Sequence, residues 1–251
     1  MRQGFVLVHG GEHGAWCWER LIPYLDWPAL AVDLPGRGDT PGDRIQLGIA
    51  DFVASAAAQV ADAGLGAVVL VAHSMAGLTA PGLAAALGGR VKHLVFVAAV
   101  VPRQGHSLVD EFPFPLGPFL GARFRRQIRR GRDQFLLPAW LARRKFCSDM
   151  TAEQTAFVMS QRCFDAPRML LEQADRASMP SAVARTWVKL MDDRAVPPRL
   201  QDRMIANLGG AAVVPLAGGH DAMVSRPRAL AEILNAVATA SFGAPPTRSL
   251  S

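Results

Sequence analysis

The sequence predicts an α/β protein with about six mainly parallel strands flanked by helices and one inserted helical cap. Three observations predict it. Short apolar runs rich in β-branched residues recur along the chain with stretches of helical composition between them, the pattern of βα units. Four of those runs are almost continuously apolar, as strands buried on both faces should be. The spacing between runs is short except once, from Val101 to Arg185, where no strand is visible.

In chain order, strands are expected at Phe5–His9, Ala29–Asp33, Val68–Ala72, His93–Ala98, Thr186–Leu190 and Ala212–Leu216. Between them "WCWERLIPYL", "ADFVASAAAQVADAG" and "MAGLTAPGLAAALG" have helical composition and end near Gly or Pro. The core is therefore expected at 1–102 and 186–242 and the helical cap at 103–185. The ending "SFGAPPTRSLS", 243–251, is expected to be a flexible tail.

Bulk properties narrow the function classes. With 251 residues, 50% hydrophobic and 19% charged, the chain buries a large core and is neither a disordered protein nor an acidic tail. It contains no apolar run of about 18 residues, so no membrane partner is expected. The N-terminal apolar run is too short for a signal peptide, which favours a cytoplasmic location. Cys17, Cys147 and Cys163 are odd in number and widely spaced, consistent with reduced thiols and with no metal site.

The net charge of +6 sits wholly in 103–185, with 14 Lys and Arg against 8 Asp and Glu; the remainder balances at 13 each. Its densest part is "RFRRQIRRGR", Arg123 to Arg132. A solvated surface helix is the leading reading, an anionic substrate drawn towards the cap the second. Nucleic acid is not expected as a partner, because no binding motif or interleaved aromatic array accompanies the arginines.

The chemistry concentrates at "VLVAHSMAG", where an apolar strand stops at Ser74 and small residues follow. One reading is a helix-capping serine. The other is a nucleophile exposed on a sharp strand-to-helix turn, with the Met75 N–H at a helix N-terminus, where negative charge is favoured. Such a turn demands small residues on either side; Ala72 and Ala76 stand where glycines are usual, with Gly77 next. Three further stretches favour the nucleophile. "HGGEHGAWCW" after the first strand offers a backbone N–H at Gly11 for an oxyanion, "LMDDRAVP" after the fifth a carboxylate, and "LAGGHDAMVSRP" after the sixth His220. A serine needs such a base, an orienter for the base and donors for the oxyanion, in the order Ser, Asp, His for this architecture.

These stretches, with "FVLVHGGEHGAWCWERLIPYL", "AVDLPGRGDTP" and "LVFVAAVVPRQGHSL", resemble the α/β-hydrolase superfamily, in the branch of plant methylesterases, hydroxynitrile lyases and bacterial esterase-like members. The resemblance spans the chain except about Val109–Ala182. It implies an α/β-hydrolase fold and a serine hydrolase of carboxylic esters or related acyl bonds (lactone, thioester), with no cofactor and no metal. It implies Ser74 as nucleophile, His220 as base, Asp193 as orienter, and the Met75 and Gly11 backbones as oxyanion donors. The family pattern places the acid four residues before a proline, which selects Asp193 over Asp192.

The other candidates carry weaker expectations. His73 is expected to pack, His9 to serve as a structural hydrogen-bonding residue of the His-Gly turn, and Asp33 to hold the Gly-rich turn after it. Trp16 and Trp18 read as core anchors. His13, Trp140 and Met223 are candidate pocket residues; His13 could equally brace its loop and Met223 pack in the core. Phe112, Phe114, Phe119, Phe124, Phe135 and Trp140 read either as an apolar pocket roof, favouring a bulky or aromatic acyl or alcohol group on a small-molecule substrate, or equally as core packing of the cap helices. Asp221, beside His220, raises the pKa of that histidine if it points inward.

Two alternatives remain, a lyase or C–C bond-cleaving enzyme on the same residues and a ligand-binding protein on this scaffold. In the lyases a lysine usually follows the histidine and a threonine takes the first glycine position; here they are Asp221 and Gly10. Oligomeric state is left open.

Overall fold

A computed structural model of the chain describes residues 2–132 and 135–245. Six strands, β1 (Arg2–Val8), β2 (Ala29–Val32), β3 (Leu65–His73), β4 (Val91–Val97), β5 (Ala184–Leu190) and β6 (Ala212–Leu216), form one sheet in the order β2-β1-β3-β4-β5-β6. Every pairing is parallel. Strand side chains alternate between faces, and the core divides accordingly. Val6, Val8, Leu70, Leu94 and Phe96 lie in one buried cluster, while Phe5, Leu7, Val69, Val71, Val95 and Val97 lie in the other. Burying each such side chain contributes about 1.5–3 kcal/mol. The edge strand β6 carries no such continuous burial; Val213 is exposed.

The helices are α1 (Ile49–Asp62), α2 (Ala80–Leu87), α3 (Leu116–Arg129), α4 (Ala139–Phe146), α5 (Ala152–Gln161), α6 (Pro198–Leu208), the short α7 (Ala222–Ser225) and α8 (Pro227–Phe242). In α1 the buried residues are Phe52, Ala56 and Val60, four apart and therefore on one face. Two expected helices are corrected. "WCWERLIPYL" forms two 3-10 turns, Ala15–Trp18 and Ile22–Tyr24, because Pro23 has no N–H to continue an α-helix and its ring would clash with the turn before it. "MAGLTAPGLAAALG" opens as a 3-10 turn, Ser74–Leu78, and becomes α2 after Thr79, with Pro81 tolerated in the first turn.

Between β4 and β5 the described residues form α3, α4 and α5 and no strand of the sheet. Gly117, Gly121 and Phe124 form the buried face of α3, and Arg123, Arg125, Arg126 and Arg129 are on its exposed side. Arg126 and Arg129 also fall in the last turn, where cations complement the helix dipole. No helix among the described residues is long and apolar enough to cross a membrane. Of the expected tail, residues 246–251 lie outside the described residues.

Candidate active site

Ser74 is the first residue after β3, and its backbone is bent to φ +51°, a left-handed conformation that costs a non-glycine residue about 1–3 kcal/mol. Two contacts hold it there. The Val100 N–H donates to the Ser74 carbonyl at 2.7 Å. Gly77 lets the same strand end approach, since a Cβ at that position would collide with the Val100 carbonyl. The small residue this turn needs for close packing is thus Gly77, with Ala72 and Ala76 buried around it.

His220 and Asp193 reach Ser74 from the loops after β6 and β5. His220 Nδ1 lies 2.8 Å from Asp193 Oδ2, and Nε2 lies 3.0 Å from Ser74 Oγ. The carboxylate accepts the Nδ1–H hydrogen bond, which keeps the proton on Nδ1 and leaves the Nε2 lone pair to accept from the serine hydroxyl. Asp193 is itself fixed: its Oδ1 accepts from the backbone of Ala195 at 2.7 Å and Val196 at 2.9 Å. Asp192 is exposed and turned away. Burial disfavours the charged form of His220, but the carboxylates of Asp193 and Asp221 outweigh it and hold the imidazole above its ordinary value.

The His-Gly-Gly loop lies directly on this turn. A Cβ at Gly10 would stand 2.7 Å from Ser74 Cβ, and one at Gly11 would collide with Met75 Sδ. His9 Nδ1 donates to the Gly10 carbonyl at 2.8 Å, and its Nε2 accepts from Leu34 N at 3.3 Å. Burial and the nearby Arg37 push His9 down to about 3, so it holds the Gly10–Gly11 peptide as a neutral ring. His73 is equally neutral: burial and His220 hold it well below the ordinary range, and its Nε2–H donates to the His220 carbonyl at 3.0 Å. Asp33 Oδ1 accepts from Ala15 N at 2.7 Å, and a Cβ at Gly38 would collide with its carboxylate, so Asp33 packs against its Gly-rich turn and also braces the first loop.

Two buried ion pairs escaped the sequence reading. Glu12, at φ +61°, pairs with Arg162, whose Nε lies 2.8 Å from Oε2; Leu137 N donates to Oε1 at 2.6 Å. Asp165 accepts from Glu12 N at 3.0 Å and pairs with Arg37. The segment between β4 and β5 is thereby tied to the His-Gly-Gly loop. Partners 128 and 150 residues apart leave no local signal.

Of the pocket candidates, His13 and Met223 show the second of their two expected roles, bracing and packing, and Trp140 is exposed. His13 is fully buried with both ring nitrogens engaged, Nδ1 with the Gly11 carbonyl and Nε2 with Asp221 Oδ2. Met223 is enclosed in the core with Trp18 and Leu230. Trp140, 68% exposed at the start of α4, faces solvent, and the α4 residue that reaches the site is Phe146, stacked on His220 at 5.6 Å. Phe112, Phe114 and Phe119 are also exposed, whereas Phe124 and Phe135 pack edge-to-face at 4.9 Å in a cluster that includes Met75. Asp221 points inward and is fully buried.

The family model described as "Alpha/beta hydrolase family" matches residues 5–233. "Probable esterase PIR7A" of Oryza sativa subsp. indica is 30% identical over 93% of this chain and 96% of its own length. "Carbendazim hydrolyzing esterase" of Nocardioides sp. (strain SG-4G) is 29% identical over 93% and 98%. Among solved structures, an extracellular alpha/beta-hydrolase from a Paenibacillus species superposes with a TM-score of 0.81 at 21% identity, covering 95% of this chain and 98% of that one.

Proposed function

The chain belongs to the alpha/beta hydrolase family, and from that premise we propose that it is a serine esterase cleaving a carboxylic ester, or a related acyl bond, of a small apolar or aromatic molecule. The observation that carries this is the continuous hydrogen-bonded line Ser74–His220–Asp193, all three side chains buried. In the proposed reaction His220 Nε2 takes the Ser74 hydroxyl proton as Oγ attacks the ester carbonyl, and Asp193 stabilises the imidazolium that forms. The N–H groups of Met75 and Gly11 receive the tetrahedral oxyanion in this reading, which the packing of Gly11 against the Met75 side chain supports. His220 then protonates the leaving alcohol, and water hydrolyses the acyl-serine by the same steps. No other group is needed to balance the reaction.

Esterase names among the relatives support the reaction class. The packing of Met75, the residue after Ser74, against Val109, Phe124 and Leu170 makes that flank of the serine apolar, which supports an apolar acyl or alcohol group. The lyase alternative gains nothing here, since the residue after His220 is a carboxylate already engaged with His13. The test is hydrolysis of a graded panel of p-nitrophenyl and aryl esters by wild type and Ser74→Ala. Turnover lost in Ser74→Ala, with the circular dichroism spectrum unchanged, upholds the esterase. Turnover that survives the substitution rules it out.

A further inference from the structure

Beside the His220–Asp193 pair lies a second buried histidine–carboxylate pair that the reaction above does not use. His13 Nε2 is 3.0 Å from Asp221 Oδ2, and His13 Nδ1 is 2.5 Å from the Gly11 carbonyl oxygen. A carbonyl oxygen can only accept, so Nδ1 carries a proton. On the other side the proton has a choice between imidazole, ordinarily about 6.5, and carboxylate, ordinarily about 3.9, and it resides on the imidazole. We infer that His13 is held as an imidazolium paired with Asp221, and that this ion pair positions the loop that supplies the Gly11 N–H. The positioning role rests on the esterase reading; the charge state rests on the contacts alone.

The surroundings agree. Trp16 stacks on the ring with centroids 5.1 Å apart and planes 20° apart, a favourable place for a cation. The other charged groups packed nearby are matched, Glu12 by Arg162 and Asp165 by Arg37. His73 is neutral, and burial pushes the Cys17 and Cys163 thiols up, so they add no charge. Burial works against a charged His13, but the Asp221 carboxylate outweighs it and the net direction is up. Burial likewise pushes Asp221 up, and His13 more than reverses it.

The place of the pair gives it its task. His9 holds the Gly10 carbonyl and His13 the Gly11 carbonyl, so both peptide planes flanking Gly11 are fixed. Asp221 directly follows His220, so the same pair ties the glycine loop to the loop carrying the base. A carboxylate oxygen of Asp221 and ring nitrogens of His73 and His220 lie within 4.8 Å of one another, close enough for the Asp221 charge to act on His220.

Asp221→Asn separates charge from shape. The amide donates to Nε2, so His13 keeps its bond to Gly11 as a neutral ring. Asp221→Ala removes the contact as well. In 15N-histidine-labelled protein, with His13 assigned through His13→Gln, NMR should show both His13 nitrogens protonated in wild type at pH 7, above the ordinary imidazole value of about 6.5. Only Nδ1 should be protonated in Asp221→Asn. On an aryl ester, Asp221→Asn should lower kcat by no more than about threefold and move the acid limb of kcat/KM to lower pH, whereas Asp221→Ala should lower kcat about tenfold with KM little changed. A neutral His13 in wild type at pH 7 overturns the charge assignment. Wild-type kcat in Asp221→Ala together with an unmoved acid limb in Asp221→Asn overturns the positioning role. If wild type turns over no ester, the esterase reading and the positioning role it supports fall, and the NMR result still upholds or overturns the ion pair.

Discussion

The molecule holds two buried His–Asp pairs within one site, and they differ in what faces the second ring nitrogen. In His220–Asp193 it is the Ser74 hydroxyl, which can give up a proton; in His13–Asp221 it is the Gly11 carbonyl, which cannot. On the proposed reading the same two residue types make a base in one place and a fixed cation in the other. Chemical role follows from the third partner, and the third partner follows from the fold: Ser74 from the forced turn after β3, Gly11 from a loop pressed onto that turn.

Breaking the first pair should have the largest effect. Asp193→Asn leaves the shape intact but no longer favours the tautomer with its proton on Nδ1, and kcat on an aryl ester should fall about 10,000-fold with little change in KM. A loss below tenfold would mean that the His220 tautomer is set by something other than Asp193. Next comes the frame beneath the second pair. Arg162→Ala leaves Glu12 as a buried unpaired carboxylate and should cost about 3–5 kcal/mol, read as a lower denaturant midpoint at constant slope. An unchanged midpoint would show that the pair does not hold the glycine loop.

A pH profile sharpens the contrast with a smaller effect. His220 must be neutral to accept the serine proton, and its two carboxylate neighbours hold it above the ordinary imidazole value. The acid limb of kcat/KM in wild type should accordingly fall above about pH 6.5, activity rising with pH as His220 loses its proton. A limb well below that value would contradict the carboxylates' influence. The smallest effect is expected at Trp140, exposed on α4; Trp140→Ala should shift stability by about 0.5 kcal/mol or less and leave kcat/KM for aryl esters unaltered.

How much of this was legible depended on how far each signal reaches along the chain. Strands β1, β3 and β4 announce themselves because both faces are buried, and Ser74, Asp193 and His220 stand out because each closes a strand or follows one in a short loop. The Glu12–Arg162 and Asp165–Arg37 pairs were invisible, since nothing local distinguishes a buried arginine from a surface one. The cap aromatics stayed ambiguous for a related reason. Phe124 and Trp140 read alike as letters, yet one is buried against Val109 and Leu170 and the other stands in water. The first helix failed on backbone chemistry, where Pro23 outweighed helical composition. The inward turn of Asp221 depended on His13, 208 residues away.

The most direct measurement is labelling of the native protein with a fluorophosphonate, followed by mass-spectrometric mapping of the adduct. A serine activated by His220 should carry the phosphonyl group on Ser74, with labelling blocked by Ser74→Ala and slowed severely in Asp193→Asn. An unlabelled Ser74 in folded protein, or an adduct elsewhere, would contradict the nucleophile on which the esterase rests.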